Sequence, residues 1–87
     1  MLRITRLAEH DRLRLRVEGR LVSAWVELLK LEIEQALAHG PGLELDLAGV
    51  EFADSQALSL LLEVGGRGVE LVACSPLLTS LLESQAS

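Results

Sequence analysis

Asp54 and Ser55 are the residues whose types and spacing most readily support chemistry: a carboxylate beside a hydroxyl, where a polar loop runs into a leucine-rich stretch. A serine at the start of a helix lies beside free backbone N–H groups and the positive end of the helix dipole, so it tolerates negative charge. An anion placed there would be tolerated by its own fold, and its effect would fall on a partner, where the added charge disrupts an apolar or acidic contact surface. The simplest alternative role is structural, with Asp54 or Ser55 capping the helix. Catalysis fits poorly. No histidine follows in the helix register to serve as a base, and two adjacent residues in a turn do not make a triad.

Other reactive residues are scattered. His10, His39 and Cys74 lie on different predicted elements without metal-ligand spacing. Gly65-Gly66-Arg67-Gly68 looks like a phosphate-cradling loop, but it follows a helix and precedes a strand, the reverse of the order a P-loop requires. It reads as a helix stop and turn. Glu32 falls on or beside the apolar face of its helix, where a charged head reaches solvent. No catalytic residue, metal site or cofactor is expected.

The positioning elements follow from periodicity. Residues 2–7 and 12–18 alternate apolar and polar, with Leu13, Leu15 and Val17 set against Arg12, Arg14, Arg16 and Glu18. Period two means strands with one buried face, and the short polar link Ala8–Asp11 predicts an antiparallel hairpin. Gly19 is expected to end the second strand. A helix is predicted from Ala24 to His39, with Ser23 as N-cap and a core face of Trp25, Leu28, Leu29, Glu32, Ile33, Ala36 and Leu37. Gly40-Pro41-Gly42 stops it. Residues 43–48 form a third strand, 49–54 a loop anchored by Val50 and Phe52, and 55–64 a second helix ended by Gly65-Gly66. Residues 69–74 form a fourth strand, and Pro76 opens a last helix to about Ser84. The order is ββαβαβα. Same-handed crossovers place the helices on one face of an open mixed sheet. The other face should carry cross-strand pairs among Arg14, Arg16, Glu44, Asp46 and Glu70.

Composition narrows the function. The 87 residues, 49% apolar, suffice for one domain spanning 1–87. Aromatics are confined to Trp25 and Phe52, which disfavours base-stacking nucleic-acid modules. A formal charge of −5 repels phosphate backbones, so no nucleic-acid partner is expected. The six arginines among the first 20 residues alternate with apolar residues and read as a solvated sheet face. A single cysteine, no signal-peptide pattern and no run of about 20 apolar residues predict a cytoplasmic protein without a membrane span.

The run LELDLAGVEFADSQALSLLLE, residues 43–63, closely resembles the signature of the STAS family (sulfate transporter and anti-sigma-factor antagonist). VEGRLVSAWVELLKLEIEQAL (17–37) and GVELVACSPLLTSLLE (68–83) resemble its flanking elements, so the likeness spans essentially the whole chain. The resemblance implies a STAS-like (SpoIIaa-like) α/β fold: a four-stranded mixed sheet with helices packed on one face. It also implies a bacterial, non-enzymatic signalling domain that regulates transcription as an anti-sigma-factor antagonist. The matching phosphoacceptor is Ser55, and the partner-binding segment is Asp54, Ser55, Gln56, Ala57 and Leu58. The implied partner is a serine-kinase-like anti-sigma factor or a larger signalling complex.

This chain departs from the family pattern in Gln56, which replaces a second serine, and in Ala57, which stands where glycine is usual. It also stops where many members continue into another strand and helix. That end, with Val26, Leu31, Leu77, Leu78, Leu81 and Leu82 as added apolar surface, makes a homodimer or docking onto a larger protein a second expectation. In that alternative the domain is a structural or scaffolding module without phosphoregulation.

Overall fold

The computed structural model describes residues 2–9, 12–38 and 42–86. His10, Asp11, His39, Gly40 and Pro41 lie outside those residues; of the predicted link Ala8–Asp11, Ala8 and Glu9 belong instead to the first strand, and of the predicted helix stop Gly42 is described, with φ 84°. The order is β1 (Leu2–Glu9), β2 (Arg12–Leu21), α1 (Ala24–Ala38), β3 (Leu43–Ala53), α2 (Ser55–Gly66), β4 (Glu70–Val72) and α3 (Pro76–Ala86). The predicted ββαβαβα order is observed. The strands form one mixed sheet in the order β1-β2-β3-β4. β1 pairs antiparallel with β2, while β2–β3 and β3–β4 are parallel.

One sheet face is apolar. Leu15, Val17, Leu45 and Leu47 are fully buried there beneath α1 and α2, against Leu29, Ile33, Leu61 and Val64. α3 packs beside α2, burying Leu78. The other face carries the expected ion pairs in register: Arg14 sits opposite Glu44 and Arg16 opposite Asp46. Arg14 contacts Glu44 at 2.9 Å, Arg16 reaches Asp46 at 3.5 Å, and Arg12 lies 3.6 Å from Glu70. Asp46 is buried and also accepts from the Ala48 N–H at 3.1 Å.

The structure corrects the sequence reading in several places. β2 does not end at Gly19 but runs on to Leu21, and β3 continues through residues 49–53, which read as a loop. The pairing shifts register between Arg16 and Glu18 and again between Gly19 and Arg20, so a bulge erases the period-two signal while the ladder continues. Gly19 accommodates the bulge with φ 109°, and Gly49 lets the Glu18 stem cross it: a Cβ at 49 would sit 2.7 Å from Glu18 Cγ. α1 is rolled from its predicted face. Val26, Leu29, Ile33 and Ala36 are buried, while Trp25 and Leu28 are exposed. Glu32 does reach outward, to Arg6 of β1 at 3.0 Å. β4 is shorter than predicted, and Ala73 with φ 59° follows its end. The α3 boundary falls at Pro76 as expected, with Ser75 Oγ accepting from the Leu78 N–H at 3.1 Å.

Candidate functional site

β2, β3 and β4 run parallel, so all three deliver the chain to the same edge of the sheet before it enters a helix. In open α/β sheets this edge is where loops can present side chains to a partner or ligand. Here it brings together the Ser23 turn, Asp54 and Ser55, and the Ala73–Ser75 turn.

Asp54 organises the edge. It is the N-cap of α2, with extended backbone, and its Oδ1 accepts from the Ala57 N–H at 2.9 Å. Its Oδ2 accepts from the Ser23 N–H at 2.9 Å. Its own N–H donates to Leu21 O at 3.2 Å, and its carbonyl accepts from the Leu58 N–H at 2.9 Å. The Ser23 N–H, followed by those of Ala57 and Gln56, holds the carboxyl below its ordinary pKa, against a smaller opposing effect of burial. Asp54 is therefore an ionised strut between the β2–α1 turn and the start of α2.

Ser23 is not the N-cap that its sequence position suggests. It stands at φ 50°, in the left-handed region, and contributes its backbone N–H to Asp54. An N-cap residue takes extended backbone. The cooperation of Ser23 with Asp54 is invisible in sequence because 31 residues separate them.

Within the predicted segment, Ser55 and Gln56 are exposed, whereas Ala57 and Leu58 are buried beneath them. Asp54 supplies the cap, which leaves Ser55 as the first residue of α2 with an exposed side chain. Trp25, the second residue of α1, is 38% exposed at the same edge. Phe52 and Leu77 are also exposed there and line a small cleft with Val50, Ala53, Leu78 and Leu81. Sequence reasoning assigned Trp25 to the core because its spacing fits the helix stripe. Gln56 and Ser59 border a shallow groove between α1 and α2, opposite Glu27 and Lys30.

Cys74 lies in the Ala73–Ser75 turn at this edge, but its chemistry is muted. Cys74 is a half-buried free thiol whose pKa is pushed up by burial, which disfavours the reactive thiolate. Among the described residues no cluster of His, Cys, Asp and Glu is arranged to hold a metal ion, and no helix is long and apolar enough to cross a membrane.

A four-stranded mixed sheet with three helices in ββαβαβα order is the arrangement of a STAS domain. The family model described as "Mlab, STAS domain" matches residues 4–86, and the chain belongs to that family. The solved structure of Moorella thermoacetica RsbS, in a form with glutamate in place of a serine, aligns with a TM-score of 0.79 and 18% identity. The alignment covers 98% of this chain and 79% of that one, and shows a shared fold. No curated protein matches the chain in sequence.

Proposed function

We propose that this STAS domain is a non-enzymatic regulatory module that docks onto a protein partner through the edge where β2, β3 and β4 end. In this reading phosphorylation of Ser55 breaks the contact. The observation that carries it is the division of labour between Asp54 and Ser55: Asp54 satisfies the start of α2, so the exposed Ser55 hydroxyl is dispensable to the fold. Trp25 on one side and Phe52 with Leu77 on the other supply exposed apolar anchors around it, and aromatic residues are favoured in the centre of interfaces. A hydrated phosphate between such anchors would have to be desolvated on docking. Ala57 and Leu58 contribute from beneath, by fixing the helix that presents Ser55 and Gln56.

The partner class that the resemblance to anti-sigma-factor antagonists implies is a kinase-like anti-sigma factor or a larger signalling complex. A cytoplasmic location agrees with the single free thiol. The test begins with capture of the chain from its own cells and intact-mass analysis, followed by affinity measurements with the captured partner. A phosphate on Ser55 and weaker binding by Ser55→Asp, but not by Ser55→Ala, are expected. Unchanged affinity of Ser55→Asp would overturn the switch.

A second reading has its own observation. Trp25, Leu28 and Leu31 form an exposed apolar row along α1, with Leu31 60% exposed. That row suits permanent docking of a scaffolding module or a second copy, with no role for Ser55. Leu28→Glu would then abolish association while both Ser55 variants leave it intact.

A further inference from the structure

Between Ser55 and Trp25 lies a feature that a helix cap alone does not explain. The Asp54 carboxylate is divided between two elements, with one oxygen on the Ala57 N–H of α2 and the other on the Ser23 N–H, each at 2.9 Å. Ser23 is held at φ 50°, a conformation that a non-glycine residue adopts at a cost. The Ser23 carbonyl accepts from the Val26 N–H at 3.0 Å, and the Val22 carbonyl from the Trp25 N–H at 3.1 Å, so this turn sets where α1 begins and where Trp25 stands.

We propose that Asp54 is a positioning residue that couples the start of α2 to Trp25, so that an anion arriving on Ser55 is read out at the Trp25 side of the docking face. This rests on the partner-docking reading above. A phosphate on Ser55 is drawn to the same N–H groups of Gln56 and Ala57 that lower the pKa of Asp54, and it repels the neighbouring carboxylate. Displacing Asp54 from Ala57 also withdraws it from Ser23. The Ser23 N–H then loses its charged acceptor, the strained φ relaxes, and the first turn of α1 moves with Trp25. The coupling needs no distant pathway, because one side chain touches both elements.

The free protein suffices for the test. Trp25 is the only tryptophan and the chain has no tyrosine, so ultraviolet-excited emission in the indole band reports this residue alone. Asp54→Ala should speed amide exchange at Ser23 by about tenfold or more, the loss expected for a hydrogen bond to a charged acceptor, and should shift the Trp25 emission. Ser75→Ala removes the cap of α3 without touching Ser23, and controls for simple cap loss. Ser23→Gly in the Asp54→Ala background should restore the emission, because glycine holds positive φ without strain. Ser55→Glu should reproduce the emission shift in the native background and add nothing when Asp54 is already alanine.

An unchanged Ser23 exchange rate in Asp54→Ala would overturn the coupling. So would a Ser75→Ala shift as large as that of Asp54→Ala, or a full Ser55→Glu shift without Asp54. If Ser55→Glu weakens partner binding but leaves Trp25 unmoved, the switch stands and the coupling through Asp54 fails.

Discussion

Asp54 serves two elements with one carboxylate, and its pH dependence follows from that. Its pKa is lower in the folded protein than in the unfolded chain. Its contribution to stability is therefore fully present above the unfolded value, about 4, and is lost as pH falls through the folded pKa. Asp54→Ala should cost about 1–2 kcal/mol at pH 7, a helix-cap loss with the Ser23 bond added. In urea titrations that cost should shrink below about pH 4; a cost independent of pH would show that the ionised carboxylate is not the stabilising species. Gly49 is as constrained as Asp54, through space rather than charge. A Cβ there would meet Glu18 Cγ at 2.7 Å and the Glu18 backbone Cα at 3.2 Å, so Gly49→Ala should destabilise by about 1–3 kcal/mol, seen as a lowered Tm.

Elements differ in how plainly their residues describe them. α1 carries two overlapping apolar stripes, and only packing decides which faces the sheet. Leu29 is fully buried, whereas Leu28 is 41% exposed one residue earlier. Leu29→Ala should cost about 2–5 kcal/mol, and Leu28→Ala no more than about 0.5. Equal losses by chemical denaturation would mean that α1 sits in the rotation its sequence periodicity favours. β3 was half legible: residues 43–48 alternate cleanly, and the remainder is hidden by the bulge opposite Glu18–Arg20. α3 was legible at its start because Pro76 and the Ser75 cap are local signals.

Assembly is decided at the scale of the whole molecule. A four-stranded open sheet has two edges that could recruit other strands. β4 spans only three residues and is followed by the Ala73 kink. β1 is longer, and it carries an arginine toward the helix side: Arg6 lies opposite Leu15, on the core face, and is tied to Glu32 of α1 at 3.0 Å. An inward-pointing charge on an edge strand opposes pairing with a neighbour, because pairing would crowd or strip a charged group. Arg6→Val should therefore promote association at high concentration, visible in sedimentation, while a β1 edge that stays monomeric would assign the protection elsewhere. The ion pairs on the open face join partly exposed arginines to the more covered Glu44 and Asp46, with Glu70 the well-exposed acid among them, and solvent at their open ends screens each pair. Their effect is to keep that face wet, which leaves the strand-end edge and the α1 row as the apolar surfaces open to a partner.

Local rules in the chain settled the order of elements, the polar and apolar sheet faces, the Asp-Ser opening of α2 and the family likeness, because alternation, caps and prolines act over a few residues. Tertiary structure alone decided the rotation of α1, the strand hidden in the bulge, the burial of Ala57 and Leu58, and the bond from Asp54 to Ser23. These depend on which residues meet across the fold, and contacts between positions 31 residues apart leave no periodic trace in the sequence.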